Sequence, residues 1–172
     1  LKFLKETRSN IKIIVLIRDI IEVLGSFINW SNREPTAFVN RYEAKTVEEK
    51  CDMLMNKDGQ IVKELIGIKH LLDHQPKEIY HVVKFNDLVK NTENTIDGVY
   101  NFLGISKFKH DFNNISQFKV NDMGYDDTIV GNGLHTLKTG AISNYKEKYD
   151  AYSIIPKSII DKYKQCNFWE EI

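Results

Sequence analysis

Apolar positions along the chain fall into runs of two periods, and the switches between them mark the elements. Ile13 to Ile17 is an unbroken stretch of isoleucine, valine and leucine. It predicts a strand covered on both faces, as in a parallel sheet. The run stops on Arg18. Asp19 then offers an N-cap, with Glu22 three residues on at capping-box spacing, and Ile20, Val23, Leu24 and Phe27 recur at helical intervals. Ser31 to Thr46 is polar and broken by Pro35, which predicts a loop with a short helix. Val47–Met55 and Gln60–Leu72 read as helices; in the second, Ile61, Leu65, Ile68 and Leu72 share a face, and Pro76 ends the region. Ile79 to Phe85 has strand composition. An amphipathic helix follows, with Ile96, Val99, Tyr100 and Leu103 on one side and Gly104 closing it. Residues 105–140 are rich in glycine, asparagine and aspartate, a long loop of the kind that is functional or disordered. Pro156 opens a last short helix through Tyr163.

Helices alternating with aliphatic strands predict an α/β fold with a parallel sheet flanked by helices, in one domain over residues 1–172. The opening "LKFLKE" reads as the tail of a helix already under way, which hints at a missing N-terminal part.

Charge narrows the function. Twenty-four basic residues balance twenty-four acidic ones, so no global field recruits nucleic acid or anionic lipid, and any anion site must be local. Arginine occurs only at positions 8, 18, 33 and 41, which makes Arg18 at a strand end a pointed choice. Cys51 and Cys166 fit no disulfide framework, zinc pattern or CxxC motif and read as reduced thiols. Charges at Arg18, Asp19 and Glu22 break the best apolar run too soon for a membrane span, and no signal-peptide pattern opens the chain. Together these point to the cytoplasm.

Ligands of open parallel sheets collect beyond the carboxyl ends of the strands, where Arg18 sits. Its guanidinium matches phosphate oxygens with a planar fork. Ser26 lies roughly 10 Å further along the helix at about 1.5 Å per residue, bordering the apolar stripe beside Val23 and Trp30. The two side chains could form one phosphate clamp. The plain alternative is that Arg18 pairs with Asp19 or Glu22 and Ser26 is a surface serine.

The order strand-Arg-Asp-x-x-x-Val-x-x-Ser-Phe resembles the 3'-phosphate-binding segment of the sulfotransferase family, whose donor is 3'-phosphoadenosine 5'-phosphosulfate (PAPS). Two further segments agree, in the family's order. "VKFNDLVKNTENTIDGVYNFLGI" resembles the strand-"YEDL"-helix-"FLG" block, where an aromatic lies near the adenine; Phe85 stands at the Tyr place. "LKTGAISNYKEKY" resembles the late "RKGxxGDWK" segment that closes over the 3'-phosphate. Lys138, Thr139 and Gly140 stand there for Arg, Lys and Gly, and Tyr145 for Trp. The resemblance spans roughly residues 10–150 and implies a P-loop-like α/β fold. It also implies a nucleotide donor, a small-molecule or glycan acceptor, no metal, and Arg18, Ser26, Phe85, Lys138, Thr139 and Gly140 as donor-binding residues.

The family's "PKSGTT" segment, which holds the 5'-phosphosulfate, and the His or Glu that deprotonates the acceptor have no counterpart here. The sequence therefore reads as the C-terminal two-thirds of a sulfotransferase, either a fragment or an eroded copy, with no catalytic base assigned. A non-catalytic nucleotide-binding or interaction module is the main alternative. A kinase-like enzyme is weakest, since no GxxxxGK[ST] segment occurs. His70 and His74, four apart, lack a third ligand and read as a solvated helix face. His81 reads as a half-buried strand histidine, and His110, His135, Asp126 and Asp127 as surface or turn residues.

Overall fold

A computed structural model describes residues 10–35, 37–41, 43–116, 119–121, 123–124, 139–142 and 150–171. They fall into two compact units. One holds residues up to Arg18 together with Ile66–His110, the other Asp19–Leu65 together with Asp111–Ile172.

The first unit is built on a parallel pair. Strand β1, Ile13–Ile17, runs alongside β2, Tyr80–Lys84, in a register from Ile13 opposite Tyr80 to Ile17 opposite Lys84. The pairing is parallel as the aliphatic run predicts, but the double covering is not there. Val15 and Ile17 are buried, while Ile14 and Leu16 are 45% and 55% exposed. Side chains alternate across a strand, so this β1 has one covered and one open face. The unbroken run gave no hint of it, because every position is apolar whichever way it points.

Phe85 does not end β2. It is the first residue of a short helix, with Lys84 at the cap. Past the parallel pair, the backbone groups of residues 85–90 are satisfied in a helix rather than a ladder. A longer helix, Thr92–Leu103, then ends at Gly104, whose φ of 69° suits glycine and whose N–H bonds back to the Tyr100 and Asn101 carbonyls. Its predicted apolar stripe (Ile96, Val99, Tyr100 and Leu103) is only half-buried. Lys12 anchors the other end of the pair: its ammonium donates to the Glu78 carbonyl at 2.8 Å and lies 4.6 Å over the Phe102 ring.

The second unit is organised by helix α1, Ile20–Arg33, which extends past the predicted loop start at Ser31. Ile20, Ile21, Leu24 and Ile28 are buried to 1% exposure or less. Helix α2 (Val47–Met55), the Phe38–Arg41 turn, helices Ala151–Ile154 and Lys157–Tyr163, and the Lys164–Cys166 turn all pack against α1. Thr46 and Glu49 close α2 with a complete capping box. Lys50 reaches from α2 toward the last turn of α1, donating to Asn40 Oδ1 at 2.9 Å and to the buried Ser31 Oγ at 3.3 Å. The helix predicted over Gln60–Leu72 runs to His74, with Ile61, Leu65 and Leu71 buried. The chain leaves the second unit and enters the first within it.

The start of α1 is satisfied from both ends of the unit. Asp19 Oδ1 accepts from the Ile21 and Glu22 amides at 2.9 and 3.0 Å. Asn167 Oδ1 accepts from the Ile20 amide at 2.8 Å, and its Nδ2 donates to Asp19 Oδ2 at 2.7 Å. Tyr152 Oη donates to the same oxygen at 3.1 Å; desolvation and the Asp19 charge push that phenol up to about 12. Three of the four amides that a helix start leaves without helical partners are thereby paired.

Two predictions follow from this packing. Asn167→Ala leaves the Ile20 amide buried without its acceptor and lowers stability by about 1–3 kcal/mol, read as a shift in urea midpoint at unchanged slope. Cys51 is fully buried, and desolvation, with smaller contributions from Asp52 and Glu48, pushes its thiol from 9.0 up to about 12. In that window the folded state keeps a proton that the unfolded state has lost, so this contribution is complete below 9.0 and fades as pH climbs toward 12. Urea titrations into the alkaline range should show stability falling, with a shallower fall in Cys51→Ala.

Candidate functional site

Parallel strands in register finish level with one another. Because Ile17 lies opposite Lys84, the next residues of the two strands, Arg18 and Phe85, emerge side by side at the carboxyl end of the pair. Arg18 Cζ stands 4.4 Å from the centroid of the Phe85 ring, and both residues are half-buried. This is a cation–π contact within the accepted range. Two of the six residues selected from the sequence are thus brought together, in the first unit. The resemblance sets Phe85 near the adenine and gives no hint of this contact with Arg18. The signal was present in the strand ends: aligning "IVLIR" with "HVVKF" in a parallel pair sets Arg18 against Phe85.

Ser26, Thr139 and Gly140 belong to the second unit. Ser26 is exposed, on the far side of α1 from Leu24 and Ile28 at 3.6 residues per turn. Its hydroxyl therefore faces solvent rather than the helix-packing core. Thr139 is exposed. Gly140 forms an antiparallel bridge with Ile115, its N–H donating at 2.8 Å and its carbonyl accepting at 2.9 Å. A second tie runs from the Ile142 amide to the Phe112 carbonyl at 2.9 Å. Gly140 has a φ of 106°, a region that side-chain-bearing residues rarely adopt. Lys138 lies outside the described residues, as do His135, Asp126, Asp127 and Tyr145.

The other constellations have ordinary partners. His70 and His74 stack at 4.4 Å on an exposed helix face, with His74 Nδ1 3.1 Å from the His70 carbonyl. His81 is half-buried, as expected, with its ring stacked against Phe102 at 5.4 Å. His110 Nε2 lies 2.9 Å from Tyr100 Oη. Among the described residues no group of three or more His, Cys, Asp or Glu is placed to hold a metal ion. No described helix is long and apolar enough to cross a membrane.

Parallel strands joined through helices describe an α/β layout. The chain belongs to the sulfotransferase domain family, whose model matches residues 2–136. Comparison with curated proteins and with solved structures found no match. The matched stretch contains Arg18, Ser26 and Phe85 and ends two residues before Lys138.

Because Gly140 meets no neighbour that a Cβ would touch, Gly140→Ala isolates the backbone cost of its φ. The substitution should destabilise the segment by about 1–2 kcal/mol. Amide exchange at Ile115 and Ile142 should rise while exchange within α1 stays unchanged.

Proposed function

We propose that this chain binds PAPS and takes part in moving its sulfuryl group to a hydroxyl or amine acceptor, with carbohydrate as the favoured class. On this reading Arg18, Ser26, Lys138, Thr139 and Gly140 are the residues that bind the donor. The observation that supports this reading is the placement of Arg18 and Phe85 together beyond two parallel strands, 4.4 Å apart. Such strand ends are where ligands of parallel sheets bind. The residue types suit a ribose phosphate: a planar guanidinium fork, a hydroxyl and a lysine supply charge-assisted hydrogen bonds to its oxygens.

In the reaction the acceptor oxygen or nitrogen forms a bond to sulfur as the bond from sulfur to the bridging phosphate oxygen breaks. Adenosine 3',5'-bisphosphate leaves, and the acceptor's proton passes to a base to which no residue is assigned here. Arg18, Ser26 and Lys138 contribute binding and alignment. The balanced net charge fits a small-molecule or glycan acceptor better than nucleic acid. Two unpaired cysteines suit a reducing compartment, and we place the chain in the cytoplasm.

Calorimetry with adenosine 3',5'-bisphosphate against 5'-AMP tests the reading. The bisphosphate should bind more tightly, and Arg18→Ala should remove about 2–3 kcal/mol of that preference, with Ser26→Ala removing less. Equal binding of the two nucleotides argues for an interaction module that kept the fold without the nucleotide site.

A further inference from the structure

Phe85 carries a role different from the one its position in the sequence suggests. An aromatic residue beside a nucleotide site is ordinarily expected to stack on the base. Here one face of the ring is already taken: Arg18 Cζ lies over it at 4.4 Å. The strand register makes that contact, since Ile17 opposite Lys84 delivers the two side chains at the same level.

We infer that Phe85 is a positioning residue for Arg18, holding the guanidinium beyond the ends of β1 and β2 in the orientation that receives the 3'-phosphate. The inference rests on the donor-binding reading above. A guanidinium is attracted to the ring face through its charge. A phosphate takes its bonds from the N–H groups of a guanidinium, and the ring contact acts through its charge. Arginine's long stem otherwise samples many rotamers, and a ring fixed at the first position of a helix limits that sampling before the ligand arrives. A phenyl face is sufficient for this task. The absence of a hydroxyl at Phe85 therefore costs the role nothing, whereas an aliphatic side chain of similar size would not supply it.

The test compares binding of adenosine 3',5'-bisphosphate and of 5'-AMP by the whole chain and by Phe85→Leu and Phe85→Tyr, with thermal melting to verify folding. Phe85→Leu should weaken the bisphosphate about two- to fivefold and leave 5'-AMP unchanged, so that the ratio of affinities falls. Phe85→Tyr should restore the ratio. In an Arg18→Ala background, Phe85→Leu should have no further effect on it. Equal weakening of both nucleotides overturns the inference in favour of base stacking, and an unchanged ratio overturns it outright. A wild-type chain without preference for the bisphosphate would instead sink the donor-binding reading itself. Should Phe85→Leu fail to fold, Phe85→Met, which fills the space without a π-face, is read by the same ratio.

Discussion

The start of helix α1 is where the constraints on this chain concentrate. A helix that buries Ile20, Ile21 and Leu24 from its first turn cannot leave its opening amides to water. The Asp19 carboxylate takes two of them and Asn167 takes the third, while Asn167 and Tyr152 together hold the other Asp19 oxygen. The cap is therefore a tertiary structure in miniature, joining residues 148 positions apart. It fixes where the C-terminal turns lie in their unit and requires the Asp19 side chain to stay oriented. Each unmet group would cost more than a made hydrogen bond gains, so the arrangement is favoured as a whole rather than piecewise.

A second constraint acts in the other unit. Parallel pairing sets β1 and β2 level, and leveling them makes the residues just past their ends neighbours. Arg18 meets Phe85 through that long-range register, because both strands stop after five residues. The same stop lets the chain enter a helix at Phe85, which keeps the ring close to the strand end.

Much of this was legible in the sequence, because the elements that matter are local. The aliphatic run, the Asp19 cap, the Gly104 stop and the parallel character of the pair all follow from patterns a few residues long. The aliphatic run hid the open face of β1, since period-two alternation leaves no trace when every residue is apolar. Phe85 favours strands by type, so composition extended β2 by one residue and missed the helix start. Asn167 carried no signal at all: one asparagine near the end of a chain has nothing in its neighbours to announce a helix 147 residues earlier. Arg18 and Ser26 stood out by type and spacing, and both lie in the stretch that the family model matches. Lys138 lies outside both the described residues and the matched stretch.

On the proposed reading, the substitutions in this site have a common direction. Lys138 in place of an arginine keeps a charge and gives up a fork, and Thr139 in place of a lysine gives up a charge. That leaves Arg18 as the one planar, bidentate donor among the six chosen residues. When several cations surround a phosphate, misplacement of one is diluted by the rest. When one fork provides most of the directional bonding, its orientation before binding sets how much of its interaction is realised. A site with fewer charges is in this way more dependent on what holds the remaining arginine, and the Phe85 ring is one group that touches it.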